Sequence, residues 1–166
     1  MNISNAVERV HQSYADDFRR IVESVAENLE PVCESPIELM LATAIEVANF
    51  CAAPDKLFQT ILPGQEPQGN YRTLVYPQYQ WEGYRIDFYL ETPLLKLRLF
   101  VECDGHEFHE RTPEQAERDR RKDRLIQEHG ISILRFTGRE IYRSPADCVI
   151  QIMSFISSRI PRRGGE

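Results

Sequence analysis

Acidic and histidine side chains cluster between residues 85 and 109, in the segments RIDFYLE and VECDGHEFH. They include Asp87, Glu102 and Asp104, followed by His106 and His109. Carboxylate oxygens are the ligands that hard divalent cations such as Mg²⁺ take, and an imidazole can exchange a proton near neutral pH. The combination indicates metal-assisted hydrolysis, provided that the fold brings these side chains together.

The apolar residues around this cluster alternate with a period of two, which predicts strands. Three strands are predicted over residues 72–80, 84–91 and 96–103. If the turn between the last two is centred between Leu94 and Leu95, residues whose numbers sum to 189 face each other. This register sets apolar residues opposite apolar residues, so it is self-consistent.

The same register places Asp87 directly opposite Glu102, with their Cβ atoms about 5 Å apart. Like charges at that separation are destabilising unless a cation lies between them. A divalent metal ion is one solution. The alternative is an exposed salt-bridge network in which Arg85 neutralises the two acids, so the pair alone leaves both interpretations open.

Helical periodicity predicts four helices around these strands. They are an amphipathic helix over residues 5–29, a buried helix that starts at Ser35-Pro36, a charged helix over residues 112–129, and a last helix from Ser144-Pro145 to about residue 161. Residues 131–136 read as one more short strand, and residues 52–69 as a loop with a strand fragment. This order predicts an α/β fold with a mixed sheet and helices on its faces.

Composition and charge favour a protein that works in the cytoplasm. The net charge of −6 argues against non-specific coating of nucleic acid, although a local basic patch can still contact phosphates. Four cysteines are scattered without a CxxC pair, which predicts reduced thiols and no zinc site. No apolar run is long enough to span a membrane, and the polar amino terminus predicts no secretion signal.

The segment VECDGHEFH, preceded by RIDFYLE, resembles the core of the PD-(D/E)XK nucleases. More narrowly, residues 35 to about 142 resemble uncharacterised endonuclease-like domains related to the very-short-patch repair endonucleases. The resemblance implies a restriction-endonuclease-like three-layer α/β/α core with a four- to five-stranded mixed sheet. That core would occupy residues 31–161, after an extra N-terminal helix (residues 1–30) and before a frayed tail (residues 162–166).

The resemblance also implies a metal-dependent endonuclease that cuts or nicks DNA, in repair, restriction or a mobile element. Asp87, Glu102 and the backbone carbonyl of Cys103 would bind Mg²⁺, for which Mn²⁺ can substitute. Glu38 matches an acid that many of these nucleases place beside the metal. Its alternative is a structural role in the first turn of the second helix, where the helix dipole favours acids.

One position departs from the family pattern, because Asp104 stands where the motif has lysine. An aspartate can accept a proton or bind metal, but it cannot stabilise negative charge. His109 would then be the general base or proton donor, with His106 a weaker candidate for that role and a candidate DNA contact. The departure leaves open an inactive nuclease-fold module that binds nucleic acid or a protein partner.

Basic residues supply the expected contacts with DNA. In the charged helix, Arg121 or Arg124 would point to the scissile phosphate or pair with an active-site acid, although such a run is also typical of a solvated helix face. Arg135 lies in an apolar strand, which predicts a carboxylate or phosphate partner. The N-terminal helix would pack on the core, on a second copy or on a protein partner.

Overall fold

The computed structural model describes residues 3–51, 57–69, 71–105 and 112–161. The helices are α1 (Ile3–Leu29), α2 (Pro36–Cys51), α3 (Pro113–Glu128), α4 (Gly138–Arg143) and α5 (Pro145–Ser157). The strands are β1 (Phe58–Thr60), β2 (Thr73–Trp81), β3 (Tyr84–Thr92), β4 (Leu97–Asp104) and β5 (Ser132–Thr137).

The strands form one five-stranded sheet in the order β1-β2-β3-β4-β5. The middle strands β2, β3 and β4 form an antiparallel meander, while β1 and β5 run parallel to their neighbours at the two edges. The parallel pairing of β5 with β4 requires a crossover, which α3 provides. The predicted α/β class with a mixed sheet is therefore confirmed.

Both faces of the sheet are covered by helices. One face packs Phe88, Leu90, Leu99 and Val101 against residues of α2 and α5, and we call this the first core. The opposite face packs Ile86, Tyr89 and Phe100 with Ile126 of α3, and we call this the second core. Tyr89 and Phe100 lie on the face that was predicted to carry the acids. Both are buried, so α3 covers this face at the level of these two residues.

The register of the β3–β4 hairpin matches its prediction from the sequence. Phe88 pairs with Val101, Tyr89 with Phe100, and Leu90 with Leu99, so the numbers in each pair sum to 189. A single 3₁₀ turn over Pro93–Leu95 closes the hairpin. The regular pairing ends at Phe88–Val101, one residue before Asp87 and Glu102, so the predicted Asp87–Glu102 pair is not part of the ladder.

Strand β2 contains a break in its side-chain alternation at Gln78. This residue has a φ of 51°, in the left-handed region that non-glycine residues seldom adopt. As a result Tyr76 and Tyr79, three positions apart, both pack with the second core. The side chain of Gln78 instead reaches α2, where its Nε2 donates to Glu38.

The short helix α4 is absent from the prediction, which passed directly from the last strand to the last helix. Thr137 caps it: the Thr137 Oγ1 accepts from the Glu140 N–H at 3.3 Å, and the Thr137 N–H donates to Glu140 Oε2 at 2.8 Å. This capping box is visible in the sequence as Thr-Gly-Arg-Glu. A helix of six residues is too short to show an apolar period, so the capping box is the sequence signal that predicts it.

Replacing Thr137 by alanine should lower the free energy of unfolding by about 1 kcal/mol, because it leaves the first turn of α4 without its side-chain acceptor. Urea denaturation measures the loss. Thr137→Ser retains the hydroxyl and should stay close to the unmodified protein. An alanine variant that is as stable as the serine variant would show that the cap contributes nothing.

Helix α1 divides into two parts. Its second half packs on the first core through Val25 and Leu29, whereas Val7, Val10 and Tyr14 of its first half are exposed.

No helix among the described residues combines the length and the apolar character that a membrane span requires.

Candidate active site

A groove of about 1180 Å³ opens where the β3–β4 pairing ends. Its walls come from the start of α2, the start of β3, the end of β4 and the first half of α3. The charged residues in its lining are Glu34, Glu38, Arg85, Asp87, Asp104, Arg118, Asp119 and Lys122. The groove therefore combines acids from the sheet, from α3 and from the start of α2 with cations from β3 and α3.

Asp87 lies in this groove with its carboxylate held by the backbone of β4. Its Oδ2 accepts from the Cys103 N–H at 2.7 Å, beyond the last regular β3–β4 pair. The pKa of Asp87 is raised to about 6, chiefly by burial and also by the carboxylates of Glu38 and Glu102, while the Cys103 N–H and Lys122 oppose the rise. The carboxylate is thus fixed in position and repelled by two neighbouring acids.

Glu102 is held between two cations. Its Oε1 binds the Lys122 ammonium of α3, and its Oε2 accepts from Arg135 Nε at 3.2 Å. Arg135 is its neighbour on β5 and also binds Asp123 of α3. The prediction that Arg135 meets a carboxylate is confirmed.

Lys122 is a site residue that the sequence prediction missed. Its Nζ binds Glu102 and lies 3.5 Å from the Arg85 carbonyl oxygen, so the ammonium faces the groove. In the sequence it is one cation in a charged run. The signal that could have found it is the inward face of α3, since Ala116, Asp119, Lys122 and Ile126 recur at helical spacing and are at least half-buried.

Glu38 is buried at the start of α2 and accepts several hydrogen bonds there. Its carboxylate accepts from the Glu34 N–H at 2.9 Å, from Ser35 Oγ at 2.7 Å and from Gln78 Nε2 at 2.6 Å. These hydrogen bonds fit the structural role in the first turn, and the metal role stays a prediction. The effect of Glu38 on the pKa of Asp87 shows that it also lies beside the site.

Gln78 is a second residue that the prediction missed. Its side-chain oxygen Oε1 is buried and has no hydrogen-bond partner among the described residues. The flanking pairs Pro77–Phe88 and Tyr79–Ile86 place Gln78 and Asp87 at the same level of neighbouring strands. A buried amide oxygen without a donor is costly, and the Nε2 of the same side chain contacts the Glu38 carboxylate, so a cation is one partner that would suit this oxygen.

The other predicted residues lie partly in the groove and partly outside it. Asp104 ends β4 and lines the groove, while Arg121 and Arg124 are exposed on α3 outside it. Arg121 lines an adjoining groove in which Arg118 lies over the Tyr84 ring, 5.6 Å from its centre. His106 and His109 lie outside the described residues.

The oxygen atoms around Asp87 fit a small hard cation. Among the described residues, no group of three acidic, cysteine or histidine side chains could hold a metal ion. Mg²⁺ does not need such a group, because it usually takes one or two carboxylates and completes its shell with water and substrate phosphate. Burial raises the pKa of the Cys103 thiol, so at neutral pH only the backbone oxygen of Cys103 is suited to this ion.

Comparison with known families agrees with this architecture. The restriction-endonuclease-like family model REase_MTES_1575 matches residues 68–156, which run from the approach to β2 almost to the end of α5. No curated protein and no solved structure matches the chain. The narrower relation to very-short-patch repair endonucleases stays a prediction. Because the match spans more than half of the chain, the protein belongs to the restriction-endonuclease-like family REase_MTES_1575.

Proposed function

We propose that the protein is a Mg²⁺-dependent endonuclease that hydrolyses phosphodiester bonds of DNA in the groove around Asp87. One observation supports this above all: a fixed, partly buried carboxylate lies among two other acids and a lysine ammonium at the end of a strand pair. Acids are seldom gathered in this way for stability, because each raises the free energy of the others. Membership of a restriction-endonuclease-like family supports a nuclease in general.

The cations of the groove would bind the DNA backbone. Arg85, Arg118 and Lys122 line it, and Arg118 continues into the adjoining groove beside Tyr84 and Arg121. Phosphate contacts of this kind make binding dependent on salt and largely independent of sequence. A DNA strand that runs along α3 would thus bring one of its phosphates to Asp87.

The residues around that phosphate would divide the chemistry between them. Asp87, the Cys103 carbonyl and Gln78 Oε1 would bind Mg²⁺, with Glu38 holding the Gln78 amide in place. The chemistry that Mg²⁺ supplies when bound is a water of lowered pKa and positive charge beside the phosphate. Asp104 or His109 would accept the proton of the attacking water, and Lys122 would offset the negative charge that develops on the phosphate.

Replacing Lys122 by methionine should reduce cleavage by roughly 100-fold, the usual cost of losing one group that stabilises a transition-state charge. Lys122→Arg, which keeps the charge, should retain part of the rate. Lys96→Met is the matched control, because Lys96 is exposed in the β3–β4 turn. Equal cleavage by Lys122→Met and Lys96→Met would remove Lys122 from the mechanism.

The proposal itself is tested by incubating the full chain with supercoiled, linear, mismatched and single-stranded DNA, with Mg²⁺, Mn²⁺ or a chelator. Cleavage of at least one DNA substrate that requires the metal is the expected result. RNA in parallel determines whether DNA is preferred. Absence of metal-dependent cleavage on every substrate would contradict the proposal.

A second candidate is a binding module that keeps the nuclease fold without catalysis. The observation in its favour is that Lys122 and Arg135 already neutralise Glu102, while Asp104 stands at the lysine position of the motif. Calorimetric titration with Mn²⁺ separates the two functions. Heat of binding that disappears in Asp87→Asn favours the enzyme, whereas DNA binding without any metal binding favours the module.

A further inference from the structure

The first half of α1 carries a stripe of large apolar side chains that the protein itself leaves exposed. The exposed fractions are 81% for Ile3, 62% for Val7, 55% for Val10, 74% for Tyr14 and 46% for Phe18. Farther along the same helix, Ile21 and Val25 are partly buried, and Val25 packs on the first core. An exposed apolar stripe of this length indicates an interaction surface.

The spacing of this stripe is symmetric about Tyr14. The seven positions, 3, 7, 10, 14, 18, 21 and 25, are separated by 4, 3, 4, 4, 3 and 4 residues. At about 100° per residue they all lie within about 40° of the direction of Tyr14. An antiparallel copy of α1 centred on Tyr14 would therefore bring Ile3 level with Val25, Val7 with Ile21, and Val10 with Phe18.

An apolar groove continues the stripe onto the body of the protein. Phe18, Val22 and Ala26 of α1 form one wall, and residues of α2 and α5 such as Val47 and Ile150 form the rest. The groove encloses about 790 Å³. Its position beside the second half of α1 is where the first half of an antiparallel partner helix would lie.

We propose that a second copy of this chain covers the stripe and the groove, with the two α1 helices antiparallel about a two-fold axis at Tyr14. A two-fold interface requires one surface that is complementary to itself. Val10, Tyr14 and Phe18 meet that requirement around the axis, and the groove beside the partly covered Ile21 and Val25 would receive Ile3 and Val7 of the partner helix. The five exposed residues offer at most about 600 Å² per copy to a partner, and the groove adds to this, which brings the total into the range of specific interfaces. This pairing is independent of the nuclease activity.

The oligomeric state of the full chain tests the proposal, by light scattering coupled to gel filtration over a range of concentrations. We expect twice the monomer mass for the unmodified protein. Tyr14→Lys places two ammonium groups against each other on the axis and should halve the mass. Gln12→Lys puts the same charge on the far side of the helix and should leave the dimer intact.

A cysteine on the axis tests the orientation of the helices. Tyr14→Cys should form a disulfide-linked dimer under mild oxidation, whereas Gln12→Cys and the unmodified protein should not. A folded protein that is monomeric at every concentration would overturn the proposal, and so would a dimer that survives Tyr14→Lys. A dimer that Tyr14→Cys fails to cross-link would overturn the antiparallel pairing.

Discussion

Asp87→Asn should abolish metal-dependent cleavage and, in the presence of a chelator, make the folded protein more stable at neutral pH. Loss of a ligand from a catalytic metal site removes the activity. The gain in stability has a separate cause, because burial and two neighbouring acids disfavour the charged form of Asp87. Asparagine retains an oxygen that can accept from the Cys103 N–H, so the backbone contact survives.

The pH dependence of this effect follows from the direction of the shift. The pKa of Asp87 rises from an ordinary value of 3.8 to about 6 in the folded protein, so the folded state binds the proton more tightly than the unfolded state. The unmodified protein therefore loses stability as the pH rises from below 4 to above 6. The free energy of unfolding of Asp87→Asn should exceed that of the unmodified protein only slightly near pH 4, and by roughly 1–3 kcal/mol at pH 7.

Thermal melting at several pH values in the presence of a chelator, together with the DNA cleavage assay, measures both parts of this prediction. Asp17→Asn is the control, because Asp17 forms an exposed pair with Arg20. That change should affect neither activity nor stability appreciably. A variant at position 87 that cleaves DNA normally would refute the catalytic role, and one that is less stable than the unmodified protein at pH 7 would refute the electrostatic argument.

Glu102→Gln should be the most destabilising of the charge-neutralising changes at the site. The side chain of Glu102 is 12% exposed and that of Lys122 is 14% exposed, so the amide would leave a nearly buried ammonium without its counter-charge. Removing one partner of such a pair typically costs about 3–5 kcal/mol. Arg135 retains Asp123 and should lose less.

Glu34→Gln provides a matched comparison. Glu34 also pairs with a cation of the groove, Arg85, but both side chains are about half exposed. The exposed pair should contribute at most about 1 kcal/mol. Urea denaturation of both variants measures the two losses in the free energy of unfolding. A double variant that carries Glu102→Gln and Lys122→Met should recover part of the loss caused by Glu102→Gln alone. If Glu102→Gln lowered the free energy of unfolding by no more than Glu34→Gln does, the Lys122–Glu102 pair would not behave as a buried ion pair.

The hairpin register could be predicted from the sequence because two constraints act on it together. The apolar pairs Phe88–Val101 and Leu90–Leu99 must share a face, and the length of the turn then allows a single register. Local alternation is information that the chain itself carries. It does not tell which helix will cover a given face, so the burial of Tyr89 and Phe100 under α3 became visible only in the folded structure.

The site was less predictable because its other residues arrive from distant elements. Lys122 reaches Glu102 from α3, and Gln78 reaches Glu38 only because its backbone adopts the left-handed conformation. Nothing in the sequence around Gln78 requires that conformation, since glutamine has no special preference for it. The acids Asp87 and Glu102 could be predicted to lie near each other because they belong to one hairpin, where spacing along the chain sets spacing in the fold.

The groove takes one wall from each layer of the structure: the start of α2, the frayed end of the β3–β4 pair, and the first half of α3. A ligand lying there would bridge two helices that pack on opposite faces of the sheet. Local unfolding of either helix would then release that ligand, so its residence time would be limited by whichever helix opens more readily. By the same linkage, a tightly held ligand would slow the opening of both helices together.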